Sequence, residues 1–183
     1  MFKHTKPLAD FLTQLRVLLA VCIAWLGISR GKEALPQVVL AVITSWATDI
    51  LDGPLARRDP RGKQTWTGQH DAEADLSTSL GLSLYLVFSH CVSTWIGLGI
   101  PLLTLSLWFF HSPQLSWPFY ASPYAILTGI AFQFNPIWGW VIVLYLSITL
   151  ILRWQRLKTK ALPEFFGAVK SWRSWRSMRW HRD

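Results

Sequence analysis

Six apolar stretches divide the chain, near 10–28, 34–51, 72–91, 93–110, 118–134 and 137–153. A helix of roughly 20 apolar residues crosses a hydrocarbon core of about 30 Å, so each stretch approaches the length of a membrane span. The breaks fall at "SRGKEALP", at the polar residues after Leu51, at "HSPQLSWP" and at "FQFNP", each with the Gly, Pro or Asn that punctuates helices. Pro136 suits the first turn of the last helix. The second stretch, "LPQVVLAVITSWATDIL", is short and mixed, as expected of a helix lining an internal polar site. The third begins in charge and ends in "GLSLYLVFSH", so only its latter part reads as lipid-facing. Lys3, His4 and Lys6 before the run Val17 to Ile28 imitate a signal peptide, but the comparable runs that follow favour a retained first span.

Composition strengthens this picture. Of 183 residues 51% are hydrophobic and only 15% charged, against roughly 25% charged in ordinary soluble domains. The expectation is an all-α integral membrane protein of about six transmembrane helices, with one membrane domain over 1–155 and a basic, Trp-rich tail over 156–183. Nine of the 18 Lys and Arg residues lie from Arg153 onward, against Glu164 and Asp183. A basic end on a hydrophobic body suits anionic lipid headgroups better than nucleic acid. In that tail Trp172, Trp175 and Met178 form one stripe beside Arg173, Arg176 and Arg179, as in a helix lying in the headgroup zone. Lys3, Lys6, Arg57, Arg58, Arg61, Lys63 and the tail share one side of a six-span plan, leaving Arg30 and Lys32 opposite. The positive-inside rule then places both termini and the polar stretch in the cytoplasm. Cys22 and Cys91, in apolar runs, read as small core residues.

Residues 48–79 hold six of the ten acidic residues. Asp49 and Asp52 are three apart, and Asp71 and Asp75 four apart, so each pair shares a helix face. If the two helices pack side by side, four carboxylates converge, and like charges that close resist full ionisation unless a cation joins them. Hard divalent ions favour carboxylate oxygens and share coordination with substrate phosphates. Gly53 and Ala56 leave room at the backbone, Arg57 can hold phosphate oxygens, and Arg58, Arg61 and Lys63 add positive potential. The pattern describes a site for a metal-bound diphosphate. His70 adjoins Asp71 without a distinct role, and Glu73 falls on the far side of the helix from the aspartates.

These residues resemble the signature of the CDP-alcohol phosphatidyltransferase family, D-x2-D-G-x2-A-R-x8-G-x3-D-x3-D. Asp49, Asp52, Gly53, Ala56 and Arg57 match its first half without a gap, and Asp71 and Asp75 match its end. "LTQLR", Leu12 to Arg16, is similar to the family's N-terminal "LTxxR". The middle departs: ten residues lie between Arg57 and Gly68 where the pattern has eight, and two between Gly68 and Asp71 where it has three. The resemblance implies six helices and transfer of a phosphatidyl group from a CDP-linked lipid, such as CDP-diacylglycerol, to an alcohol, with CMP released. It implies two Mg²⁺ or Mn²⁺ ions on Asp49, Asp52, Asp71 and Asp75, with Asp75 also the general base, and CDP contacts from Gly53, Ala56, Arg57 and Gly68. Family members commonly form homodimers, a matter on which these residues are silent. Members that use phosphorylated alcohols generally carry extra cations in later helices, whereas this chain has no Lys or Arg between Lys63 and Arg153. A neutral or zwitterionic acceptor is therefore expected, unless Arg16 or the tail reaches in. The rival functions are a divalent-cation transporter or channel, and a family member that binds lipid nucleotide without catalysis. A transport path would need polar residues through the depth of the bilayer.

Overall fold

The computed structural model describes residues 5–57, 71–110, 113–167 and 169–170. Among these residues the chain is all helical. Six long helices follow in order: α1 (Thr5–Arg30), α2 (Leu35–Arg57), α3 (Asp71–Phe88), α4 (Thr94–Phe110), α5 (Pro113–Phe134) and α6 (Pro136–Leu152). A 3-10 turn, Gly31–Ala34, joins α1 to α2. Gly31 at φ 58° supplies the left-handed step that ends α1. His90 takes the same step after α3, at φ 54°, and the amides of Cys91 and Val92 then both donate to the carbonyl of Leu86. Asn135 caps α6 by accepting the Ile137 amide at 3.2 Å, with Pro136 in the first turn as expected.

The continuous helical stretch Asp10–Leu51, which runs through α1, the turn and α2, is the one among the described residues long and apolar enough to cross a membrane. α1 and α2 form an antiparallel hairpin about the short turn Gly31–Ala34, with Arg16 in the first half of one meeting Asp49 in the second half of the other. α3 packs along α1 in the same direction: Arg16 meets Asp75, and deeper in the bundle Gly27 lies against Tyr85. α4 folds back on α3, with Gly97 against Val87. The return of α6 on α5 seats Gly139 on Phe132, whose ring meets Trp140 edge-on at 5.4 Å.

The core joins Ile23 of α1, Val38, Val39 and Val42 of α2, Leu82, Tyr85 and Leu86 of α3, Leu127 and Ala131 of α5 and Ile142 of α6. α3 is the central helix. Gly81, Leu82, Ser83, Tyr85, Leu86 and Ser89 are all buried, so most of the run expected to face lipid is interior, with Phe88 and His90 exposed near its end. Hydropathy cannot tell the two apart, because protein core and lipid are equally apolar. Cys22 departs from expectation the other way: it is exposed on the outer face of α1, while Cys91 is half-buried. The break at "HSPQLSWP" is also narrower than its composition suggests, for α5 begins at Pro113 and runs through Pro118 and Pro123. Pro123 denies its amide to the carbonyl of Phe119, and the Ser122 hydroxyl donates to that carbonyl instead, at 2.6 Å.

Two glycines set the distance between α1 and α3. A Cβ on Gly27 would meet the Tyr85 Cα at 2.9 Å. One on Gly81 would run into the backbone of Ala20, which cannot swing aside. Small residues at such crossings let helices approach without a hydrophobic driving force. Gly81→Ala is expected to lower stability by about 1–3 kcal/mol, the cost of overpacking a tight core. A clear fall in the midpoint of thermal unfolding of the detergent-solubilised protein checks this, and an unchanged midpoint contradicts it.

Candidate active site

One end of the bundle gathers the start of α1, the end of α2, the start of α3 and the end of α6. α1 supplies Arg16, α2 Asp49, α3 Asp75 and the residue following α6 Arg153. Asp49 and Asp75, expected to converge if their helices pack side by side, are brought together on one cation of α1. A single guanidinium nitrogen, Arg16 Nη1, lies 3.5 Å from Asp49 Oδ1 and 2.5 Å from Asp75 Oδ1. The Arg16 side chain has no solvent exposure, whereas those of Asp49 and Asp75 are 32% and 44% exposed. The cation thus lies beneath the carboxylates and the acids open outward. Thr13, one turn earlier on α1, is within 3.4 Å of Arg16 Nη2 through its hydroxyl.

The other oxygen of Asp49 faces a different partner. Arg153 Nη1 donates to Asp49 Oδ2 at 3.3 Å, and Arg153 Nη2 to the Asp49 backbone carbonyl at 3.4 Å. α6 ends at Leu152, and Arg153 leaves helical geometry at φ −105°, ψ 12°. Its side chain then reaches back across 104 positions of sequence. Charge counting alone ranked Arg153 merely as the first cation of the tail. The signal that marks it is position, at the site end of the last apolar stretch after a long run without Lys or Arg.

Below the carboxylates, hydroxyls replace charge. Ser45 and Thr78, one turn deeper on α2 and α3, share a hydrogen bond of 3.1 Å. Ser79 donates to the Tyr120 carbonyl of α5 at 2.7 Å, and Ser83 to the carbonyl of Ser79 at 3.0 Å. These buried groups are satisfied by neighbours and stitch α3 to α2 and α5. Trp46 of α2 stacks on Tyr145 of α6, centroids 5.7 Å apart, and meets Tyr124 of α5 at 5.1 Å. An aromatic layer therefore closes the floor between α2, α5 and α6.

The remaining sequence candidates are placed by backbone alone. Asp52, Gly53, Ala56 and Arg57 continue α2 beyond Asp49, and Asp71 opens α3 one turn before Asp75. Their helical spacing puts Asp52 on the Asp49 face and Asp71 on the Asp75 face, while the side chains of 52–57 and 71–72 lie outside what is described. Gly68, His70, Arg58, Arg61 and Lys63 lie outside the described residues, as do Trp172, Arg173, Trp175, Arg176, Met178 and Arg179 of the tail. Glu73 is exposed. Among the described residues no group of three or more acids, histidines or cysteines is close enough to hold a metal ion unaided. Asp49 and Asp75 each bring a carboxylate oxygen to one positive centre at Arg16 Nη1, and carboxylate oxygens are the donor type that hard divalent ions favour.

The model of the CDP-alcohol phosphatidyltransferase family matches residues 6–154, which takes in α1 to α6 and Arg153. No curated protein and no solved structure matches the chain. Matched over most of its length, and with two of the signature aspartates meeting across α2 and α3, the chain belongs to the CDP-alcohol phosphatidyltransferase family, membrane-associated enzymes that transfer a phosphatidyl group from a CDP-alcohol in phospholipid synthesis.

Proposed function

We propose that the chain transfers the phosphatidyl group of a CDP-linked lipid such as CDP-diacylglycerol to a small neutral or zwitterionic alcohol. The observation that carries this reading is the convergence of Asp49 and Asp75 on one positive centre at the rim of the bundle. Asp49, Asp52, Asp71 and Asp75 would hold two Mg²⁺ or Mn²⁺ ions, which when bound supply neutralisation of the diphosphate charge. Gly53 and Ala56 would let the cytidine diphosphate approach α2, with Arg57 on its phosphate oxygens and Gly68 beside the nucleotide.

Asp75 is the base of the reaction. Its carboxylate takes the proton of the acceptor hydroxyl as that oxygen bonds to the phosphorus bearing the lipid. The bond from this phosphorus to the oxygen bridging it to CMP breaks, and CMP leaves with the electron pair. The 44% exposure of the Asp75 side chain leaves an acceptor free to approach it from the open side. Arg16 and Arg153 both reach the site, yet each is engaged with a carboxylate. This supports an acceptor without a phosphate of its own.

The unit carrying this activity is 1–155, with 156–183 as a basic appendage on anionic headgroups; the family match ending at Trp154 supports that boundary. Six membrane crossings, both termini and the site on the cytoplasmic side, and a homodimer complete the proposal. Outward Trp25, Trp95, Leu102, Phe109 and Ile151, all more than half exposed, support lipid around the bundle. An ion path is the weaker reading, because the hydroxyls beneath the carboxylates are engaged with each other and with carbonyls.

The test is CMP release by the purified full chain with Mn²⁺, CDP-diacylglycerol and a panel of alcohols. Release is expected with a neutral or zwitterionic acceptor. Turnover with glycerol 3-phosphate alone would refute the acceptor class, and no release with any acceptor would refute transfer.

A further inference from the structure

We infer that Arg153 is a positioning residue that aims Asp49 into the metal site. The inference rests on the reading of Asp49 as a metal ligand. Its two carboxylate oxygens have different neighbours. Oδ1 faces Asp75 and shares Arg16 Nη1 with it, whereas Oδ2 faces α6 and accepts from Arg153 Nη1 at 3.3 Å. An ion taken up between Asp49 and Asp75 would compete with Arg16 for Oδ1. Arg153 is not in that competition, because it holds the oxygen on the far side.

The grip is two-pointed. Arg153 Nη2 reaches the Asp49 carbonyl at 3.4 Å, so one planar fork spans the side chain and backbone of the same residue. Such a fork fixes orientation as well as charge, which a single ammonium cannot do. An exposed ion pair of ordinary kind would contribute little. This one sits at the closing corner of the bundle, where α2 and α6 are tied deeper down by the stacking of Trp46 on Tyr145. The backbone break at Arg153 turns the chain away from the α6 axis, and the helical segment Leu157–Gly167 departs at 64°. The residue that aims the carboxylate is therefore also the joint from which the basic tail leaves.

The experiment compares Mn²⁺ binding by the full-length parent, Arg153→Gln and Arg153→Lys, read by the electron paramagnetic resonance of free Mn²⁺, with CMP release measured alongside. Removing a partner that orients a metal ligand typically weakens metal binding about 10- to 100-fold, and Arg153→Gln is expected within that range. Arg153→Lys should recover only part of the loss, since it restores charge without the fork. At saturating Mn²⁺ the turnover of Arg153→Gln should return to about the parent value, because Asp75 and the CDP contacts are untouched. Mn²⁺ affinity within twofold of the parent in both variants would overturn the assignment. So would lost turnover at saturating Mn²⁺, which would put the guanidinium on substrate. If the parent binds no Mn²⁺ at all, the metal reading of Asp49 fails and this role fails with it. Parent binding without CMP release would sink only the transferase reading.

Discussion

Asp75→Asn is expected to reduce CMP release at least a thousandfold while leaving the fold in place. The substitution is nearly isosteric, so the packing of α3 is kept, but the amide cannot accept the acceptor's proton. General base catalysis contributes about 10²- to 10⁴-fold, and Asp75 is also proposed to lend an oxygen to the ions, so the loss should sit toward the upper end. The measurement is single-turnover CMP release at saturating Mn²⁺ and alcohol, with the unfolding midpoint recorded in parallel. Because Arg16 bonds Asp75 Oδ1, the Asn variant also gives up half of that cation's neutralisation. A modest fall in stability is therefore compatible with the prediction, whereas retained turnover is not.

Arg16→Leu is the second large effect, and here the loss is of stability. Arg16 is fully buried and is the shared partner of Asp49 and Asp75. Breaking a buried pair by deleting one member costs about 3–5 kcal/mol because the other charge is left behind. Since both carboxylates are about one-third exposed or more, water relieves part of this, and a loss of about 2–4 kcal/mol is expected. Its signature is a cation-dependent rescue. Mn²⁺ or Mg²⁺ binding to the folded state should restore more stability to Arg16→Leu than it adds to the parent, because the ion takes over the neutralising role. Thermal unfolding with and without Mn²⁺ decides this. Equal stabilisation of parent and variant would mean that Arg16 and the ion are not interchangeable at these oxygens.

Much of the architecture was legible from the apolar runs, because a helix that must bury its own backbone polar groups needs a minimum apolar length. Helix ends fell within a few residues of expectation for α3, α4 and α6, where Gly, Asn and Pro mark the turns. Facing was not legible. In water an amphipathic period reveals the buried side, but around a bundle clothed in apolar side chains that period vanishes. The burial of most of "GLSLYLVFSH" and the exposure of Cys22 both follow from this. The small residues Gly81, Ser79 and Ser83 were the available clue, since they occupy the crossings that larger side chains would block. Within the site the aspartate spacings foretold the meeting of Asp49 and Asp75, and "LTQLR" drew attention to Arg16. Nothing in local spacing could foretell the clasp of Arg153 on Asp49, which depends on how the ends of α2 and α6 come together.

The hairpin of α1 and α2 has a consequence for how the protein enters its membrane. An arginine inside a helix is costly to place in lipid alone, about 2.5–3.5 kcal/mol at the centre of a span on insertion scales. Arg16 meets Asp49 within the stretch Asp10–Leu51, so the first two helices carry their own neutralising pair before α3 has been synthesised. That hairpin can partition as a unit with its charge already answered. α3 would then dock by bringing Asp75 to a cation that is waiting for it, and α6 would come last, closing Arg153 over Asp49. The order of charges along the chain would permit the same order of assembly, with the cluster of Arg16, Asp49 and Asp75 closed by Arg153 at the end of α6.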